Sequence, residues 1–434
     1  MLSAAEADLV RRDTSVPGLA TALDPEAFLA ALRRFVPALD VRGADITYVR
    51  LKPRSYARVS YRLDVGGASV DVDVRASQEG DFARLLRDGD EYVGGPLGPG
   101  RIVLEDRSLV VTVFPNDLKL PELRHLIDPV KRRDLLRDML PDRPELWEGE
   151  LRCLGYRRQR RYTAELRSAT GRAVLKSYTT KAYRHGKINA LTFQTGGPLR
   201  IARLLGWSDG RQLLAFEWLP GRGLFDLGMP PEIEGEMTAR AGAALATLHE
   251  QRPDGLECWT REDETASLLS LASEIGFLYP ALAGRADELA RRVAAQLAGA
   301  PDMHVAIHGD FNANQVLMAP SDVSIIDLDW ACCADPADDL GNILAQAETL
   351  VMVGERPSAW IQGFRDALLA GYRLATKRLL PDRIDTYTAR GLFRRARNPF
   401  RMRMPEWPTR MEALLARAEA MLNGSLHASD DRAA

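Results

Sequence analysis

A chain of 434 residues, 46% of them hydrophobic, holds enough apolar material for more than one core. Its 58 Lys and Arg against 60 Asp and Glu leave a formal net charge of −2, which excludes the broad electrostatic attraction that non-specific binding to nucleic acid or an anionic membrane requires. No apolar run approaches a membrane span and the start Met-Leu-Ser-Ala-Ala-Glu-Ala-Asp lacks a basic-then-apolar secretory pattern, so the expected setting is the cytoplasm, with neither nucleic acid nor membrane as partner.

In chain order, Asp24-Pro25-Glu26 supplies an N-cap, a first-turn proline and an early acid for a helix reaching Val36. Alternating apolar and polar residues over Ile46–Leu63 and Ser69–Val74, around Val65-Gly66-Gly67, predict a β-hairpin, and Ser108–Phe114 a further strand. A charged helix is predicted from Asp128 to Leu140, and Pro141-Asp142-Arg143-Pro144 breaks it. The domain boundary is expected there, with residues 1–148 forming an N-terminal α+β domain.

The following stretch repeats the earlier grammar: a strand Arg160–Leu166, a Thr170-Gly171 turn, and a strand Arg172–Lys176 in which Lys176 stands where Arg75 stands in the first hairpin. Residues 1–148 therefore read as a degenerate copy of this second lobe, with Trp147 as an aromatic anchor at the junction and a homodimer contact left open. Gly206 reads as a turn and Gln212–Leu219 as an apolar strand closed by Pro220-Gly221. Helical spacing dominates 232–249, 261–299 and 341–423, and the polar stretch 425–434 reads as a disordered tail. The four cysteines, Cys153, Cys258, Cys332 and Cys333, lack the Cys-x-x-Cys spacing of a zinc or redox site and read as buried thiols.

The most informative segment is His308-Gly309-Asp310-Phe311-Asn312-Ala313-Asn314-Gln315, followed by Asp327 in Ser-Ile-Ile-Asp-Leu-Asp-Trp. It offers an acid on a loop, an amide five residues later and a second acid at the end of an apolar strand, the groups that phosphoryl transfer from Mg-ATP requires. Asp310 can accept the proton of a substrate hydroxyl, while Asp327 and the Gln315 side-chain oxygen are hard ligands for Mg²⁺. Asp329, two residues on along an extended chain, is either a further metal contact or a structural acid.

With Ala334-Asp335-Pro336-Ala337-Asp338-Asp339-Leu340 following, these residues resemble the aminoglycoside phosphotransferase and choline kinase family, whose pattern is His-Gly-Asp-x4-Asn, Ile-Asp-x-Asp/Glu and Asp-Pro-x-x-Asp-Leu. Gln315 departs from it, standing where the pattern has Asn. The resemblance implies a bilobal protein-kinase-like α+β fold, with a small β-rich lobe over 149–220 and a helical catalytic lobe over 221–424. It implies an ATP- and Mg²⁺-dependent kinase, with GTP an open alternative, phosphorylating a hydroxyl of an aminoglycoside, sugar, nucleoside or amino alcohol. It further implies Lys176 as the phosphate-binding lysine, the hinge Glu217, Trp218 and Leu219 as the adenine contact, His308 as loop-orienting and Asp339 as the loop's anchor.

Three features stand apart from that pattern. No glutamate lies between Ser177 and Phe216, so the usual partner of the lysine is absent or replaced by an amide such as Asn189 or Gln194. Tyr156–Tyr162 replaces a glycine-rich loop, either bringing an arginine to the phosphates or, as the favoured reading, forming a solvated basic turn. Six arginines and no acid lie in Arg390–Arg403; lining the acceptor site they would favour a neutral or anionic substrate, and facing solvent or pairing with acids elsewhere, the preferred reading, they would say nothing. The rival function is a catalytically silent nucleotide-binding scaffold or sensor of the same fold.

Overall fold

The computed structural model describes all residues except 88–90, 226–230, 300–302, 321 and 431–434. Two antiparallel five-stranded sheets share one topology. The first runs in the order Val41–Lys52, Tyr56–Val65, Ala68–Ser77, Leu109–Val113, Arg101–Leu104, and the second in the order Glu150–Arg157, Arg161–Arg167, Arg172–Tyr178, Leu213–Glu217, Leu204–Ser208. In each, a helix follows the third strand, Glu79–Leu86 in one and Thr180–Thr192 in the other. Arg75 and Lys176 both lie four residues before that helix, so they hold equivalent places in the two sheets. Gly206 lies within the strand Leu204–Ser208 at a register shift, not in a turn, because the chain passes so near Met139 there that a Cβ would sit 2.2 Å from its carbonyl oxygen.

Local chemistry explains the flanking helices. The Asp24 carboxylate accepts from the N–H groups of Glu26 and Ala27 and caps Pro25–Phe35, which buries Phe28, Ala31 and Leu32. Asp128 does the same for Pro129–Met139 through Val130 and Lys131, burying Leu135, Leu136 and Met139. Their destinations differ. The first sheet, with Val70, Val72, Val74 and Ala76 on its inner face, shares one continuous core with the helical lobe. Residues Leu120 to Leu146 instead pack with Tyr162, Ala164, Leu175 and Leu213 of the second sheet, so the core does not divide at residue 148.

The helical lobe is built from Pro231–His249, Arg261–Leu278, Ala283–Ala298, Ala337–Met352, Trp360–Ala375, Ile384–Arg395 and Trp407–Asp430. The last of these continues six residues beyond Gly424, into the stretch expected to be disordered, and 431–434 lie outside the described residues. The helices Pro231–His249 and Trp360–Ala375 cross with their backbones in contact: a Cβ on Gly371 would sit 1.8 Å from the carbonyl oxygen of Ala239, and one on Gly242 2.1 Å from that of Leu368. Two short β-pairs carry the loops of interest. Val305–Ile307 pairs with Cys332–Ala334, ending at His308, and Val316–Met318 pairs with Val323–Ile325, which leads into Asp327.

Candidate active site

The loop carrying Asp310 is fixed from below. His308 and Gly309 donate their backbone N–H groups to the two Asp339 carboxylate oxygens at 2.6 and 2.9 Å. The His308 ring is fully buried; its Nε2 bonds the carbonyl of Ile326 at 2.9 Å and its Nδ1 accepts from the N–H of Asp310 at 3.3 Å, which sets the tautomer. Burial works against the charge of Asp339, but hydrogen bonds from His249 and His308 outweigh it and hold the carboxyl below its usual range. His249 reaches Asp339 at 3.0 Å and is itself oriented by the Tyr372 hydroxyl at 2.9 Å, a link that the crossing of their two helices makes. The half-buried Asp310 carboxylate has no hydrogen-bond or ion-pair partner among the described residues.

A second cluster joins the two lobes. Asp327, at a left-handed φ of 69° just past its strand, receives both ends of the Arg161 guanidinium at 2.5 and 2.8 Å, and the Lys176 Nζ at 2.8 Å. Lys176 also reaches Asp329 at 3.1 Å, Tyr178 donates its hydroxyl to Asp329 at 2.9 Å, and Arg161 bonds Asp329 as well. Burial would raise the Asp327 carboxyl, yet Lys176 and Arg161 hold it far below the ordinary carboxylate range. Lys176 thus has carboxylate partners without any glutamate. The helix Thr180–Thr192 contributes Asn189, which donates to the carbonyls of Leu328 and Ala331 at 2.8 and 3.2 Å and so orders the segment that carries Asp329.

The favoured reading of the basic turn as solvated fails at Arg161. Cross-strand pairing sets Arg161 opposite Tyr178 and Thr163 opposite Lys176, so alternation brings Arg161 and Lys176 onto one face of the sheet. The rest of the turn is held by the preceding region: Asp117 accepts from the Tyr156 hydroxyl at 2.8 Å and the Gln159 N–H at 2.7 Å, and Arg158 lies 3.4 Å from Asp71.

Gln315 uses its side-chain oxygen within the loop, accepting from the Asn312 N–H at 3.0 Å, while its own carbonyl accepts from Ile326. A cavity of about 490 Å³ between the lobes is lined by Arg161, Lys176, Glu217, Trp218, Leu219, Asp327 and Asp329, and by Asn314 rather than Gln315. Its walls toward Glu217 are apolar, from Val174, Ile201, Phe216 and Ile325.

At several points the arginine-rich segment pairs with acids elsewhere in the fold, one of the two forms of the preferred reading, and little of it faces solvent. Arg390 is buried with Glu264 at 2.5 and 2.6 Å and Asp338 at 2.5 Å, and Arg397 and Arg401 share Glu274. Arg395 bonds Asn342 at 2.8 Å, and Asn342 holds the Phe311 carbonyl, one residue past Asp310, at 2.8 Å. Arg394 has no hydrogen-bond or ion-pair partner among the described residues; the charge of Arg390 and burial hold it below the usual guanidinium range, and burial brings Arg395 down to about 10, with the negative charge of Asp310 opposing both shifts. Sequence reasoning gave no role to Arg394, His249 or Asn314. Only the strand register relative to Lys176 could have singled out Arg161.

Among solved structures, the chain is similar to a macrolide 2′-phosphotransferase from Brachybacterium faecium (18% identity, 67% of this chain and 96% of that one, TM-score 0.43). It is also similar to a choline/ethanolamine kinase family protein from Mesorhizobium loti (16%, 67% and 93%, TM-score 0.45) and an aminoglycoside phosphotransferase from Streptomyces rimosus (20%, 60% and 96%, TM-score 0.42). No curated protein matches the chain. The model of the phosphotransferase enzyme family matches residues 155–384, more than half of the sequence and the span that carries both carboxylate clusters, so the chain belongs to that family and is a small-molecule phosphotransferase with a bilobal kinase-like α+β fold.

Proposed function

We propose that the chain transfers the γ-phosphoryl group of ATP to a hydroxyl of a small molecule. The carrying observation is the cavity itself: an apolar slot opening from Glu217, Trp218 and Leu219 leads to a cluster of Arg161, Lys176, Asp327 and Asp329. A flat purine fits the first and a polyanion the second. Hinge backbone at Glu217–Leu219 holds the base, Lys176 and Arg161 bind phosphate oxygens, and Asp310 accepts the hydroxyl proton. His308 and Asp339 orient the loop that carries Asp310.

Asp327 and Asp329 supply hard oxygen donors suited to Mg²⁺, and the two cations lying against them mark a site that balances carboxylate charge with positive charge. When bound, Mg²⁺ neutralises charge on the phosphates. Gln315 would have to release Asn312 to join as a ligand. Arg394, without an ion-pair partner among the described residues, and the Asn342-bound Arg395 beside the loop favour a neutral or anionic acceptor, such as a sugar or nucleoside, over a cationic aminoglycoside. Residues 1–148 shape the cleft in two parts, the small-lobe-like first sheet packed with the helical lobe and Leu120 to Leu146 beneath the small lobe at 149–220, ahead of a catalytic lobe at 221–424.

The test is ADP formation by the purified full chain with ATP or GTP, with and without Mg²⁺, against panels of sugars, sugar acids, nucleosides, amino alcohols and aminoglycosides. Turnover with one neutral or anionic class is the expected result. Tight nucleotide binding with no acceptor-dependent turnover across the panels would favour the silent scaffold.

A further inference from the structure

The cysteines are not buried thiols: Cys153 and Cys258 are exposed and Cys332 and Cys333 half-buried. Two of them meet. Cys258, in the segment leading into the helix Arg261–Leu278, forms a parallel bridge with Cys333 on the strand Cys332–Ala334; the Trp259 N–H donates to the Cys333 carbonyl at 3.0 Å and the Cys333 N–H to that of Glu257 at 2.8 Å. On its other side Cys333 pairs with Ala306, and His304 lies two residues earlier on that chain, which puts it on the same face. One ligand atom each from Cys258, His304 and Cys333 therefore lies within 4.8 Å of the others.

We propose that Cys258, His304 and Cys333 form a binding site for a soft or borderline divalent cation, zinc by donor chemistry, distinct from the carboxylate cluster of the active site. Two sulfurs and an imidazole nitrogen are the donor set that selects Zn²⁺ over Mg²⁺ or Ca²⁺. Sequence spacing hides it, because the ligands come from three separated segments that only the β-pairing brings together. A cavity of about 190 Å³, bordered by Cys258, His304, Trp259 and Tyr387, opens beside the cluster, gives the ion a path in and leaves room for a water as fourth ligand. On ligation each sulfur loses its proton to solvent and binds as thiolate. The ion would tie the approach to Arg261–Leu278 onto the strand that joins Asp329 to Asp335.

The experiment titrates the reduced full-length protein with Zn²⁺, and with Co²⁺ as an optical probe, in the presence of excess Mg²⁺. The expected result is one equivalent bound, a thiolate-to-cobalt charge-transfer band, and proton release. The Cys258→Ser/Cys333→Ser double variant and His304→Ala should weaken binding by roughly 10²-fold or more, with circular dichroism of the metal-free proteins unchanged. Binding of equal strength in both variants, no Co²⁺ charge-transfer band, or a Cys258–Cys333 disulfide in protein isolated under reducing conditions would overturn the proposal.

Discussion

Arg161 and Asp327 meet as a two-pronged guanidinium–carboxylate pair, at 2.5 and 2.8 Å, across the cleft between the β-rich and helical lobes. Asp327 cannot serve the guanidinium with both oxygens and also ligate a metal fully. Arg161→Ala should therefore tighten binding of Mg²⁺ alone while weakening ATP by about tenfold, near 1.4 kcal/mol. Calorimetry with each ligand separately reads both effects, and two unchanged affinities would make Arg161 a lobe strut only. Asp327→Ala should abolish the Mg²⁺-dependent part of ATP binding.

Asp310→Asn should lower kcat by about 10²–10⁴-fold and leave the ATP Kd unchanged, because the side chain lies outside the lining of the cavity proposed to take the nucleotide. Turnover within a few-fold of the parent would remove Asp310 from its role.

Gln315 separates two explanations. Gln315→Leu deprives the Asn312 N–H of its acceptor and should cost about 1 kcal/mol of stability, with reduced turnover as the loop loosens. If the side chain acts only within the loop, the Mg²⁺-dependence of ATP affinity stays intact in Gln315→Leu; if it ligates the metal, that dependence collapses, while Gln315→Asn keeps part of it.

Glu264 and Arg390 form a buried pair, and Glu264 is held down to about 2: burial opposes its charge, but Arg390 outweighs burial. A folded-state value below the unfolded 4.5 means stabilisation that is full above pH 4.5 and fades as pH falls toward 2. Glu264→Gln should cost about 3 kcal/mol at neutral pH, and the gap between the two proteins should narrow on acidification in urea melts. Asp338, pushed up to about 6 by burial, titrates in both proteins.

Deleting residues 1–148 should give an insoluble or unstable chain, since it strips Leu120, Leu136 and Leu146 from the core beneath the second sheet. Asp117→Ala is the finer probe. It frees Tyr156 and Gln159, and should weaken ATP while leaving most of the folding stability in place. A truncated chain with unchanged kinetics would make residues 1–148 an independent module.

What the sequence made legible was local. His308, Asp310, Asp327 and Asp339 sit in one short stretch whose motif carries the family resemblance, and the capped helices at Asp24 and Asp128 follow from neighbouring residues. The strand repeat around Arg75 and Lys176 was also visible, and the two sheets share their order. What stayed hidden depends on which strands and helices meet. Arg161 reaches an acid 166 positions away, His249 one 90 positions away, and Cys258 finds Cys333 only through a bridge between unconnected segments. Gln315 shows a further limit, since its type announces a donor oxygen while the turn decides where that oxygen is spent.

The backbone contact at Gly371 carries the same lesson into heredity. One added carbon there would fall 1.8 Å from the Ala239 carbonyl oxygen and pry two helices apart, taking Tyr372 from His249 and His249 from Asp339. The loop bearing Asp310 would lose its footing without any change in its own residues. A position with no side chain at all is thus as exposed to inactivating mutation as the acid proposed to receive the proton.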